Sequence, residues 1–266
     1  MRGDADMRGR HAALRVFYWG AVVWLFLPLA LIAVMSVTGS SFVGFPIERV
    51  TMRWYGDMLR DAEFLRAFLY SCGAAAGSTV LALAAGLWTA LAISALRSTS
   101  LRATLFCAAC LPIVTPGIVS AISLRIFIRL LGLDPGYMAI VLGHAIHAAP
   151  LVVIMLVLRL RTMPTEQVEA ARTLGAHPAR AFLDVTLPWL APAIAGAAVL
   201  ALLESFDDFL RSFFLGGYQP TLPVLIYGRL FSGLSPEINA IATVVLLLTI
   251  SIGFAGERLF RRAQPA

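Results

Sequence analysis

Long apolar runs broken by short charged clusters set the pattern of this chain. Uncharged stretches cover Val16–Ile47, Ala67–Leu96, Ala103–Leu124, Pro135–Leu158, Val185–Leu203 and Ile238–Gly256. Each holds about 19 residues or more, and a helix needs roughly 20 apolar residues to cross a bilayer. The pattern predicts an all-α, polytopic membrane protein with six transmembrane helices, built as one transmembrane domain over residues 1–266. An even number of crossings leaves both termini on one side. Pro112 and Pro116 fall inside the third run; each removes a backbone donor and crowds the preceding turn, which predicts a kink. Residues 48–66 mix arginines and acids with Trp54, Tyr55, Met58, Leu59 and Leu65, as expected of an amphipathic segment lying on the outer membrane face. Ser98-Thr99-Ser100 predicts a tight inner turn and Asp134-Pro135-Gly136 an outer one. Ser235-Pro236-Glu237 predicts a helix start, with Ser as cap, Pro in the first helical position and Glu complementing the dipole.

Composition supports a bilayer as the solvent. Apolar residues make up 59% of the chain and charged residues 14%, against about 25% charged in soluble proteins. All 21 basic residues are arginine and the net charge is +6. The arginines punctuate apolar runs and form no basic face, which argues against a nucleic-acid partner and for membrane lipid. With cytoplasmic termini, 13 arginines meet six acids inside, while eight meet nine acids outside. This bias predicts that the N- and C-termini are cytoplasmic. The basic start followed by an apolar run resembles a signal peptide, but the run is too long and no cleavage site follows, so it reads as a retained first helix. Cys72, Cys107 and Cys110 all lie in apolar runs; an odd number there argues against a disulfide framework. His144 and His147, at i and i+3, have no evident third ligand, which favours interhelical hydrogen bonding over a metal site.

The longest inner segment, Arg159–Pro188, carries too many charges to span. It predicts two short helices. Thr165 caps the first, with Glu166 in its opening turn, and Val168, Ala171 and Leu174 share one face. Gly175 stops it. Pro178 opens the second, with an apolar stripe of Ala181, Phe182 and Val185, and Leu187-Pro188 marks entry into the fifth span. A helix pair with an apolar face can dock on the chain's own helices or in a groove of a cytoplasmic partner.

Glu169-Ala170-Ala171, then Gly175, then Val185-x-Leu187-Pro188 resembles the EAA loop of bacterial ABC importer permeases, at every spacing of the family pattern and with Val185 in place of Ile. The resemblance implies the type I ABC importer permease fold in the bacterial inner membrane. It implies that Glu169, Ala170, Ala171, Gly175, Leu187 and Pro188 belong to a coupling loop seated in a cleft of a dimeric ABC ATPase. It also implies a second permease subunit and an extracytoplasmic substrate-binding protein. The chain would be no enzyme and hold no catalytic residue. A P-loop needs a lysine to reach the phosphates, and this chain has none; ATP and Mg would therefore be bound by the partner ATPase.

The fifth span ends in Glu204-Ser205-Phe206-Asp207-Asp208-Phe209. Carboxylates near bilayer depth are costly unless hydrated or paired. Glu204 and Asp208 stand at i and i+4 with Asp207 beside them, which reads either as a solvated helix end beside Arg211 or as an anionic patch for a cationic substrate. Ser205–Phe209, together with Thr221-Leu222-Pro223-Val224-x-Ile226-Tyr227 and Ser235–Ala240, resembles the spermidine/putrescine permease subgroup, as do His144 and Pro150. That resemblance implies polyamine transport and a second permease of different sequence. Arg125 and Arg129 depart from it, standing where the subgroup is mostly apolar. Either Asp207 or Asp208 partners them, or they line the substrate pathway with Glu204 and the aspartates and receive a carboxylate. The second alternative makes an amine–carboxylate compound, such as an opine or amino-acid derivative, a competing cargo. A reading from another class, a proton-coupled secondary transporter, leaves the EAA-like loop unexplained.

Overall fold

The computed structural model describes residues 2–40, 44, 46–47, 49–233 and 235–262. Among these the chain is helical throughout, apart from turns and one isolated bridge between Thr38 and Val50. The helices are α1 (Arg2–Met35), α2 (Arg53–Arg60), α3 (Ala62–Ala95), α4 (Thr99–Val114), α5 (Gly117–Leu130), α6 (Tyr137–Arg161), α7 (Thr165–Thr173), α8 (Pro178–Ala181), α9 (Leu187–Phe206), α10 (Phe209–Leu215), α11 (Leu222–Ser232) and α12 (Pro236–Arg262). Among the described residues, five helical segments are long and apolar enough to cross a membrane, and α4 with α5 make a sixth if that bent pair is one span.

The chain divides into two compact units, Met1–Asp61 with Arg229–Leu247 and Ala62–Gly228 with Leu248–Ala266. In the first, α1 ends at Met35, well short of the expected Ile47; residues 41–43, 45 and 48 of the expected elements lie outside the described residues. The reason is local. Thr38, Gly39 and Ser40 are poor helix formers, and the backbone here pairs across a loop instead, Gly39 N–H with Arg49 C=O at 2.8 Å and Thr51 N–H with Val37 C=O at 2.8 Å. The Trp54 indole donates to the Thr38 carbonyl at 2.7 Å and the Tyr55 hydroxyl meets Ser36 Oγ at 2.7 Å, which tie α2 to that loop. Arg229 bridges Asp61 and Glu237 in the same unit.

The second unit is built on α3, α6 and α9. Their contact is made of small residues and a few branched ones: Ala82 and Ala90 of α3, Ala145, Ala148, Val152 and Leu156 of α6, and Leu190, Ala193, Ala197 and Ala201 of α9, all buried. Lipid tails are as apolar as leucine, so helices in a bilayer gain by close backbone approach rather than by hydrophobic burial, and small residues permit it. At Gly86 the approach is tightest: a Cβ there would stand 2.5 Å from Val152 Cγ1 and 2.7 Å from its Cβ. Gly86→Val is therefore expected to destabilise the purified protein by about 1–3 kcal/mol, the usual range for overpacking. Thermal unfolding in detergent measures this, and Val152→Ala in the same chain should restore part of the loss; no recovery would mean that the contact is not the cause.

The observed spans depart from the uncharged runs at their ends. The α3 helix begins at Ala62 because Glu63 and Arg66 are accommodated in its first turns. The inner turn is Leu96–Arg97, with Ser98 as the cap of α4, accepting from Leu101 N–H at 3.3 Å, and Thr99 and Ser100 already helical. The expected kink falls at Pro116. There α4 and α5 meet at 100°, and Thr115 is extended (ψ 126°), as a residue before proline must be. Pro112 is accommodated within α4. Pro236 opens α12 as expected.

Candidate functional site

The segment between α6 and α9 forms a helical foot. Its first helix, α7, runs Thr165–Thr173, with Glu166 in its first turn. Thr165 does not cap it; Pro164 holds the cap position, whose rigid φ suits a helix entry, and no side chain caps the end. The far end closes on Gly175, at φ +89°. Ala176 N–H reaches Ala171 C=O and Gly175 N–H reaches Arg172 C=O, each at 3.0 Å. This pair of bonds is the Schellman closure, which satisfies carbonyls at a helix end and needs a residue free to turn left-handed. Val168 and Ala171 are half-buried, whereas Glu169, Ala170 and Gly175 are exposed and Leu174 is 89% exposed.

The second helix of the foot is not separate from the fifth span. His177 Nδ1 caps α8, accepting from Ala179 N–H at 3.4 Å, and Pro178 stands in the first position. The α8 helix then runs through a π-turn at Phe182–Thr186 into α9, giving one continuous helix over Pro178–Phe206. Leu187-Pro188 thus lies inside a helix rather than at its entry. Pro188 has no N–H and its ring would strike the carbonyl one turn back. The wider turn relieves this, with Leu187 N–H bonded to Phe182 C=O.

Sequence reasoning missed the clasp at the roots of the foot. Arg159 Nε donates to the Trp189 carbonyl at 3.0 Å, the Trp189 indole donates to the Arg159 carbonyl at 3.2 Å, and the guanidinium lies 4.3 Å over the indole ring. The end of α6 and the start of α9 are therefore held as one base. No local spacing signals a contact across 30 residues; an arginine ending one apolar run and a tryptophan opening another are the only hints.

At the other end of α9 the helix breaks after Phe206. Asp207 closes it (φ −95°, ψ 1°) and Asp208 is extended (φ −74°, ψ 96°), which starts α10. The expected shared face of Glu204 and Asp208 does not form, because the helix ends between them; aspartate suits an N-cap better than a helix interior. Asp208 accepts from Arg211 N–H at 2.9 Å and from its guanidinium at 2.6 Å, and their side chains are 7% and 9% exposed. Glu204 instead meets His147 of α6 at 2.9 Å. Asp207 stays exposed, with no ion-pair partner among the described residues.

A buried polar chain supports the break. His144 Nδ1 lies 2.7 Å from Ser205 Oγ and its Nε2 lies 3.2 Å from Ser212 Oγ, while Ser78 Oγ lies 2.8 Å from Ser205 Oγ. These contacts join α3, α6, α9 and α10. His147 and Arg211 line a cavity of about 280 Å³ with Ser120, Ser123, Leu124 and Phe127.

Neither aspartate partners Arg125. Its guanidinium donates to the Phe214 carbonyl in the last turn of α10, and Arg129 pairs with Asp134 in the turn before α6. Asp208 is already occupied by Arg211, three residues along the chain. Arg125 and Arg129 line a second cavity, of about 530 Å³, with Asp134, Gly216, Gly217 and Tyr218.

A family model described as binding-protein-dependent transport system inner membrane component matches residues 82–266. The spermidine/putrescine transport system permease protein PotC of Escherichia coli (strain K12) is 32% identical over 248 residues, covering 92% of each chain. The putrescine transport system permease protein PotI of the same strain is 32% identical over 251 residues, covering 91% of this chain and 88% of that one. In fold, the chain is similar to a chain in the crystal structure of a bacterial ABC transporter involved in the import of the acidic polysaccharide alginate, with a TM-score of 0.75, 16% identity and full coverage of both chains.

Proposed function

The chain belongs to the family of binding-protein-dependent transport system inner membrane components, and from that membership we propose a complete assignment of cargo, partners and working parts. It is a membrane-embedded permease subunit of an ABC importer, a transport component rather than an enzyme. The cargo is a polyamine or a related organic amine, as the relatives' names suggest. An extracytoplasmic binding protein delivers it. A second, different permease chain completes the pathway, and a dimeric ATPase binds ATP and Mg and drives the cycle. Both termini face the cytoplasm.

The observation that carries this reading is the foot: an exposed Glu169-Ala170 pair and a bare Leu174 beside the left-handed Gly175, on a base clasped to α6 and α9. A solvated apolar side chain at the tip of a helix turn is suited to a partner's groove, and a push on it moves both helices together. Glu169, Ala170, Ala171 and Gly175 make the ATPase contact, while Leu187 and Pro188 lie in the helix that conveys it. At the break, Asp207 and Glu204 attract the cationic cargo, and Asp208, held by Arg211, fixes the break's shape.

The test is uptake of labelled putrescine into proteoliposomes holding the full transporter with its binding protein. Uptake should require ATP inside and persist when the proton gradient is collapsed. Asp207→Asn should lower it about tenfold, since one charge within contact distance contributes about 1–4 kcal/mol and each 1.4 kcal/mol is tenfold. Uptake that follows the proton gradient without ATP would remove the proposal.

A further inference from the structure

We infer that the arginine cavity beside α10 is a carboxylate-recognising subsite, so that the cargo carries a carboxylate as well as its amines. The inference rests on the amine-import reading and narrows it.

The charges decide the matter. The cavity is bounded by α5, by the turn before α6 and by Gly216–Tyr218. Arg129 is paired with Asp134, but Arg125 has no carboxylate partner among the described residues; it holds only the Phe214 carbonyl. A guanidinium has five N–H donors in a planar fork suited to a carboxylate. One bond to a carbonyl leaves most of that fork available, and the cavity keeps an uncompensated positive charge. The bonded carbonyl belongs to the last turn of α10, so capping that helix also orients the guanidinium.

Charge at the opposite end of α10 is of the other sign. Among the described residues Asp207 has no ion-pair partner there, and Asp208 is neutralised by Arg211. The α10 helix spans Phe209–Leu215, so the two ends are separated by about 10 Å at 1.5 Å per residue. A plain diamine gains nothing from the arginine end and is repelled by it. An aminoalkyl compound with a carboxylate at the far end matches both.

The experiment compares putrescine with N-(carboxymethyl)putrescine, the same diamine bearing one carboxylate. Both are offered to the reconstituted transporter with the same binding protein in every arm, so differences between variants arise in the permease. For the wild type, ATP-driven uptake of the carboxylated probe is expected. Arg125→Gln should raise the ratio of its KM to that of putrescine about tenfold, and Arg125→Lys, which keeps the charge, by less. Arg129→Gln, at a side chain 58% exposed, should move the ratio the same way and decides the matter if Arg125→Gln fails to assemble. Uptake of putrescine alone by the wild type, or an unchanged ratio in the assembled variants, overturns the subsite and leaves amine import standing. No ATP-driven uptake of either probe overturns amine import itself.

Discussion

Valine at position 175 will cut ATP-driven uptake about tenfold or more while leaving the protein inserted and assembled in the membrane. Gly175 sits at φ +89° in the turn that closes α7, and nothing stands within 4 Å of where a Cβ would be. Crowding is thus not the obstacle; the backbone conformation is. A left-handed residue with a side chain costs about 1–2 kcal/mol, more for a β-branched one, and 1.4 kcal/mol is a factor of ten in population. The cheapest escape is to open the turn, which releases the bonds from Gly175 and Ala176 and moves the exposed Leu174. Because the foot is exposed and the α3–α6–α9 core is remote from this turn, thermal unfolding in detergent should change little. Gly175→Asn, which tolerates this conformation better, should retain most uptake. ATP hydrolysis by the assembled complex would no longer follow delivery of cargo by the binding protein. Normal uptake by the valine variant would mean that the shape of the foot is not what the partner reads.

Removing Arg211 should have the largest effect on stability. Asp208 is buried and its charge is met by Arg211 at 2.6 Å. Breaking a buried pair by deleting one partner costs about 3–5 kcal/mol, because the other charge is left uncompensated. Arg211→Gln is therefore expected to lower the unfolding temperature by about 10 °C at the usual scaling for a chain of this size. It should also loosen the break between α9 and α10, since the same aspartate caps α10. Adding Asp208→Asn removes the stranded charge and retains a good cap, so the double variant should recover most of the loss. If the two changes simply add, the pair is not coupled and the break is held by the His144–Ser205–Ser212 chain alone.

The spans were legible because the bilayer imposes a simple demand. Every backbone group must be satisfied internally over a fixed thickness, so a long uncharged run can be little else than a helix. The foot was legible for a local reason as well: Gly175 and Pro178 punctuate the chain, and their effects act within a turn. Helix ends were read less well. Charge marks where a side chain meets water or a partner, not where a helix stops, which is why α3 starts at Ala62 and α8 runs on through a π-turn into α9. Met35 ends α1 for a different reason, because Gly39 and Thr51 find backbone partners across a loop.

The pairing of charges was the least accessible. From sequence, Glu204 and Asp208 share a face only if the helix continues, and Arg125 has equal access to several acids. Whether a helix breaks at Asp207 depends on Asp208 finding Arg211 and on His144 being held between Ser205 and Ser212, contacts that join residues from α6, α9 and α10. The sequence by itself determined the bilayer as solvent, the helical class and the foot, because hydrophobic length, proline and glycine act locally on the backbone. Only the tertiary structure decided which carboxylates are neutralised and which charges remain exposed, since electrostatic partnership falls off with distance in space and has no fixed relation to distance along the chain.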